Sequence, residues 1–171
     1  MVIVMTPRTS GGNVPAGYAP SRFPPFAVTV DVVILTMAEG ALQVLLIQRG
    51  EAPFRGMGAI PGGFKRPHET LDDAAKRELS EETGVDAASL LAQFGAYGDP
   101  DRDPRMNVVT VGYLAVLRDV GAIVAGSDAA GASLVPVSEV LHERIDLAFD
   151  HRSIVRDAIE RVRMELEVSG I

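Results

Sequence analysis

Gly63-Phe-Lys-Arg-Pro-His-Glu69, followed after seven residues by Arg77-Glu78-Leu79-Ser80-Glu81-Glu82-Thr83-Gly84-Val85, is the stretch on which the fold turns. Thr70 with Asp73 three residues on forms a capping box, which predicts a helix over 70–83. Leu71, Ala74, Ala75 and Leu79 make an apolar stripe that needs a sheet to pack on, and Gly84 suits the left-handed residue that ends a helix. Glu78, Glu81 and Glu82 stand at i, i+3 and i+4, so their Cβ atoms gather roughly 5–6 Å apart on one face. Each like-charged pair costs about 0.2–0.5 kcal/mol on a bare helix, and only Arg77 stands beside them, so the cluster asks for a cation. Hard oxygen donors of this kind select magnesium or manganese. The glutamates alone could equally be a solvated acidic face. Pro61-Gly62-Gly63 just upstream favours the metal reading, because the glycines allow a tight backbone path and close approach of a metal or phosphate.

Strand patterns flank this helix. Phe26 to Leu35 is rich in β-branched residues, and Leu42 to Gln48 repeats that character after the Ala38-Glu39-Gly40 turn, which predicts a hairpin. Leu90 to Tyr97 and Val108 to Leu117 are further strands, separated by the Asp/Pro-rich segment Gly98 to Arg105. Gly121 to Ser133, mostly Gly, Ala and Ser, is expected to be a mobile loop. With Asp150 as N-cap, Ile154, Val155, Ala158, Ile159, Val162 and Leu166 recur at helical spacing and predict a long amphipathic helix that closes the chain. Residues 1–25 hold so many prolines and glycines that they read as a flexible arm, leaving 26–171 as one domain.

Composition narrows the function. The 171 residues carry 16 basic and 23 acidic side chains, a formal charge of −7. Such a surface repels phosphate backbones, so a nucleic-acid partner is not expected, and an anionic small molecule would need metal ions or local arginines. Without cysteine there are no disulfides, thiolate metal sites or cysteine nucleophiles. No stretch is long enough to span a bilayer, so the expected setting is the cytoplasm, with no membrane partner.

Every fixed position from Gly63 to Val85 is filled in a pattern of glycine, five residues, glutamate, seven residues, then Arg-Glu-apolar-x-Glu-Glu-x-Gly-apolar, and in this the chain resembles the Nudix hydrolases. The resemblance implies an α/β (α+β) sandwich, a mixed β-sheet between helices with a loop-helix-loop metal motif. It also implies a metal-dependent pyrophosphohydrolase acting on a nucleoside diphosphate linked to another group. Glu78, Glu81 and Glu82 would then hold Mg²⁺ or Mn²⁺, with the Gly62 carbonyl as a further ligand. Glu81 and Glu82 would also activate water, Arg77 would orient the glutamates, and Glu69 would hold the motif together by accepting hydrogen bonds.

The similarity extends from Phe26 through Leu117. Gly98-Asp-Pro-Asp-Arg-Asp-Pro-Arg105 and Phe149-Asp150-His151 are similar to the ADP-ribose pyrophosphatases and the related ADP-ribose-sensing repressors of NAD metabolism. The best-supported expectation is hydrolysis of ADP-ribose to AMP and ribose 5-phosphate. The alternatives are a Nudix hydrolase of nucleoside triphosphates or dinucleotides, and a sensor that binds ADP-ribose without cleaving it. Arg49, Arg102 and Arg105 are the candidate substrate-phosphate contacts, ahead of Arg55, Lys65 and Arg66. Phe23, Phe26, Tyr97 and Phe149 could stack on a base or simply pack the core, and His151 reads as a local hydrogen-bond partner. The general base stays open between Glu81 and an acid from 119–143 such as Asp128 or Glu139. A homodimer is compatible with the resemblance. Gly58 departs from this branch, which carries a large aromatic before the Pro-Gly-Gly turn. The repressors continue into a winged helix whereas this sequence stops at Ile171, so repression by this chain alone is not expected.

Overall fold

The computed structural model describes residue 17 and residues 19–87, 89–126 and 129–170. Most of the arm expected over 1–25 lies outside these residues, and its described end makes one 3₁₀ turn, Pro20–Arg22. The hairpin is present as β1 (Ala27–Ala38) and β2 (Ala41–Arg49). Glu39 and Gly40 both take positive φ between them, the backbone that lets a two-residue turn follow the strand twist. The short strands β3 (Gly58–Ala59) and β4 (Gly62–Phe64) lead to α1 (Leu71–Thr83), then β5 (Ala92–Tyr97) and β6 (Val108–Leu117). β7 (Ala129–Pro136), α2 (Val137–Leu141) and α3 (His151–Ser169) complete the order.

The sheet runs β3-β2-β1-β6-β5, with β4 added to β1 and β7 to β2. β1 and β6 are parallel from Ala27↔Val108 to Thr36↔Leu117, and the other pairings are antiparallel, so the sheet is mixed as expected. β1 is covered on both faces, which is why it reads as an unbroken apolar run. Val30, Val32 and Ile34 meet Ala74, Ala75 and Leu79 of α1. Val33 and Leu35 turn the other way, to Val140 of α2 and to Ile154, Val155 and Ala158 of α3. Each of the valine, leucine and isoleucine side chains among these contributes about 1.5–3 kcal/mol by leaving water. The capping box at Thr70 and Asp73 is formed, and Gly84 ends α1 at φ 70.

Two expectations are corrected. Gly121 to Ser133 is not loop throughout, because residues 129–136 form β7 along β2, from Gln43↔Pro136 to Arg49↔Ala129. Alanine, glycine and serine have little strand preference of their own, so this strand is made by backbone pairing to an available edge and by Leu134 and Val135 packing into the two cores. Asp150 precedes α3, but its side chain makes no cap hydrogen bond. Its carboxylate is taken by Arg102.

Candidate active site

α1 and β4 meet at the signature. Arg77, 15% exposed, sits at the centre and donates from Nε and Nη2 to the two oxygens of Glu69 at 3.0 and 2.7 Å. Its Nη1 reaches Glu78 Oε1 at 2.6 Å and Glu81 Oε2 at 3.1 Å, and Nη2 also reaches the Phe64 carbonyl at 3.1 Å. Hydrogen bonding to Glu69 raises the Arg77 pKa further, and the same bonds with the Arg66 N–H hold Glu69 down at about 2. The loop and the helix are thus tied through one guanidinium, that of Arg77.

Gly62 and Gly63 are glycines for a steric reason. A Cβ on Gly62 would lie 2.5 Å from Asp31 Oδ1, and one on Gly63 would lie 2.5 Å from Glu78 Oε1. The backbone therefore passes between two carboxylates, and the Gly62 N–H donates to Glu82 Oε2 at 2.9 Å. Burial pushes Glu82 up to about 7, helped by the charge of Glu78, and burial likewise raises Glu78. Among the described residues no three acidic or histidine side chains already converge as a metal cage. Glu81, half exposed, is turned to Arg77 and to Arg66 Nη2 at 3.5 Å, and an exposed carboxylate rotates at little cost. The donor set itself suits a hard divalent cation: three carboxylates around one cavity, two of them desolvated, with Arg77 bonded to Glu78 and Glu81 but not to Glu82.

These groups line a cavity of about 410 Å³ together with Thr29, Asp31, Arg49, Phe64, Arg102, Asp103, Arg105, Phe149 and His151. The structure thus brings all three sequence-nominated arginines to the glutamates. They differ in how much of their charge is spent. Arg102, whose side chain is 4% exposed, pairs with Asp150 and with Asp31 at 3.3 Å. Arg105 makes a two-point pair with Asp103, at 3.0 and 2.7 Å. Arg49 forms no ion pair among the described residues: its Nε donates to the Pro53 carbonyl at 2.8 Å and its guanidinium lies 4.9 Å from the Phe149 ring centre. Burial, together with the nearby Arg105 charge, lowers its pKa.

His151 is a hydrogen-bond partner, but not a local one. Ile60 N–H donates to its Nδ1 at 3.1 Å, which leaves Nε2 as the protonated nitrogen of a neutral ring, 3.5 Å from Asp31 Oδ1. Burial lowers its pKa and so favours that neutral form. Of the aromatic candidates only Phe149 lines the cavity. Phe23 and Phe26 are exposed, and Tyr97 donates to Asp157 of α3. Glu139 is paired with Arg144 away from the cavity, and Asp128 lies outside the described residues. Asp31 and Asp103 were not nominated from the sequence. The available signal for Asp31 was a lone charge within an apolar strand, which burial makes costly unless it has partners.

The NUDIX domain family model matches residues 25–158. The chain is 38% identical over 133 residues to an ADP-ribose pyrophosphatase of Methanocaldococcus jannaschii, covering 77% of this chain and 72% of that protein. It is 35% identical over 158 residues to the ADPR responsive transcriptional repressor NtrR of Acinetobacter baylyi, covering 91% of this chain but 62% of the repressor. Among solved structures, the NUDIX domain of Shewanella oneidensis NrtR in complex with ADP ribose superposes with a TM-score of 0.77 at 34% identity, over 86% of this chain and 95% of that one. No helix among the described residues is long and apolar enough to cross a membrane. Sequence and fold agree, and the chain belongs to the NUDIX family, in its class of pyrophosphohydrolases.

Proposed function

We propose that the chain hydrolyses the pyrophosphate bond of ADP-ribose, giving AMP and ribose 5-phosphate. The observation that carries this reading is one cavity with an acidic, metal-suited face on α1 and an arginine, Arg49, that has no carboxylate partner among the described residues. A substrate with two phosphoryl groups joined to two ribosyl units supplies the anion that Arg49 lacks, and a divalent cation on the acidic face would offset the rest of its charge. The pyrophosphatase relative and the ADP-ribose-bound neighbour support that choice of substrate.

Glu78, Glu81 and Glu82, with Gly62 as a further oxygen donor, would hold Mg²⁺ or Mn²⁺. When bound, the cation supplies charge neutralisation to the phosphoryl oxygens and acidifies the attacking water. Arg49 and Arg105 bind phosphoryl oxygens, and Arg102 has Nη1 left to offer once Asp150 and Asp31 have taken Nε and Nη2. Arg77 holds the glutamates in register. Glu81, the most exposed of the three, takes the proton of the attacking water as the P–O–P bond breaks and the leaving phosphate departs. The reaction runs on a small nucleotide in the cytoplasm.

A sensor reading has one observation in its favour, the likeness to a repressor that responds to ADP-ribose. The retained glutamates weigh against it, since a pure sensor has no need of a mutually repelling cluster. Incubation with Mg²⁺ and ADP-ribose, beside nucleoside triphosphates and dinucleotides, tests both. AMP and ribose 5-phosphate as products support the proposal, whereas ADP-ribose bound without product supports the sensor.

A further inference from the structure

Gly58 is joined to the segment leading into α3 on both sides. Its N–H donates to the Asp146 carbonyl at 3.0 Å, and the Ala148 N–H donates to the Gly58 carbonyl at 2.8 Å. Between those bonds Gly58 and Leu147 form a parallel bridge, and a Cβ on Gly58 would lie 2.9 Å from Leu147 Cδ2 and 3.4 Å from the Asp146 carbonyl oxygen. Leu147, almost wholly buried, therefore fills the space that a side chain at position 58 would need.

Two residues beyond Leu147 the chain reaches Phe149, whose φ of 53 is rare for a bulky side chain. Such a conformation persists only where the surroundings fix it, and it is concentrated where geometry serves a site. The Gly58 contact fixes the chain just before Phe149, and the Phe54 ring meets it edge-on at 4.8 Å. The Phe149 ring in turn lies 4.9 Å from the Arg49 guanidinium and 5.6 Å from that of Arg105, which Asp103 and the Phe64 ring also hold, so the ring stands between two cations that repel each other.

We propose that Gly58 is a positioning residue: by admitting Leu147 it sets where Phe149 stands, and through Phe149 it sets the Arg49 and Arg105 pair that grips the substrate's phosphoryl groups. This rests on the reading above that the two arginines meet phosphate.

The test compares wild type with Gly58→Ala, Leu147→Ala, the Gly58→Ala/Leu147→Ala double variant, and Phe149→Leu with and without Gly58→Ala. Each is assayed for ADP-ribose hydrolysis and titrated calorimetrically with inorganic pyrophosphate. Gly58→Ala is expected to raise KM, and to weaken pyrophosphate binding, by about 5- to 20-fold while kcat stays within about 2-fold, the mark of lost uniform binding. Adding Leu147→Ala removes the crowding atom and should return both values most of the way. Phe149→Leu should reproduce the defect, and Gly58→Ala should add nothing to it, because both act through one ring. Unchanged KM and pyrophosphate affinity in Gly58→Ala would overturn the inference, as would an effect that persists undiminished on top of Phe149→Leu. If Gly58→Ala does not fold, Leu147→Ala alone carries the test: the slackened segment should raise KM at constant kcat, and an unchanged KM overturns the inference. If wild type cleaves no ADP-ribose while the pyrophosphate pattern holds across the variants, the functional reading fails and this inference stands.

Discussion

Arg102 and Asp150 are joined by two hydrogen bonds, Nε to Oδ2 at 2.9 Å and Nη2 to Oδ1 at 2.6 Å, across 48 positions of sequence. This pair ties the Asp/Pro-rich loop to the start of α3 at the floor of the cavity, and Asp31 of β1 completes it at 3.3 Å. A guanidinium this buried is tolerable only while its carboxylates remain. Removing Asp150 takes away the two shortest of its three carboxylate hydrogen bonds and leaves Asp31 at 3.3 Å as the remaining partner. Asp150→Ala should therefore lower the unfolding free energy by about 1.5–3 kcal/mol, the value of hydrogen bonds to a charged group, read as a fall in the urea midpoint. A loss under about 1 kcal/mol in Asp150→Ala would mean that the pair contributes position and little stability.

Arg49 is the reverse case, a cation in the cavity with no ion pair among the described residues. Truncating it deletes a charge that no described carboxylate pairs with, at the cost of one hydrogen bond to the Pro53 carbonyl and the stack on Phe149. Arg49→Ala should leave thermal stability nearly unchanged and raise KM for ADP-ribose by about 10- to 100-fold, the value of one or two hydrogen bonds to a charged group. Arg49→Lys should recover only part of this, because a compact ammonium cannot reproduce the planar stack on Phe149. Steady-state kinetics on the three proteins decide it. An unchanged KM in Arg49→Ala would remove this residue from the substrate site.

What could be read from the sequence was whatever is local. The Thr70–Asp73 cap, the Leu71–Leu79 stripe, the Gly84 stop and the β-branched runs each depend on residues a few positions apart, so α1, β1, β2 and β6 lay within a residue or a few of where they were expected. The acidic face followed from helical spacing for the same reason. β7 was missed because its alanines and glycine carry no signal, the strand existing only through the edge of β2. β3 and β4 are too short to show a period. The opposite wall of the cavity was read in part: the three arginines were named, but not that two of them would be neutralised. That depends on Asp31, Asp103 and Asp150 arriving from separate elements, and register over such distances leaves no trace in one sequence.

The hold of Arg77 on Glu69 gives a dependence on acid. Hydrogen bonding to Arg77 keeps Glu69 ionised in the fold down to about 2, whereas its ordinary value is 4.5. A carboxylate depressed in the native state contributes stability that is full above the unfolded value and disappears as pH falls through the folded one. The stability gap between wild type and Glu69→Gln should therefore be constant above pH about 5 and shrink between about 4.5 and 2. Denaturant melts of both proteins at pH 6, 4 and 3, conditions set by the experimenter, measure that gap. A gap that is flat across the range would show that the pair seen here does not favour the ionised form in solution.

Glu81 and the cation it is proposed to help hold give the test closest to the chemistry. Glu81 is the least buried member of the acidic face and the one tied to two arginines, so changing it disturbs the core least. Glu81→Gln keeps the size and the Arg77 contact through its amide oxygen, but it can neither accept a proton nor supply a full charge to a metal. Turnover should fall by about 10²- to 10⁴-fold while KM for ADP-ribose changes little, as expected for a general base. Chelation with EDTA should abolish turnover in wild type, and Mg²⁺ or Mn²⁺ in excess should restore it. If the loss in Glu81→Gln is instead recovered by raising Mg²⁺, the residue serves mainly as a ligand and the proton goes elsewhere. If turnover is unchanged at every Mg²⁺ concentration, Glu81 has neither role, and the search for the base moves to the 119–143 region.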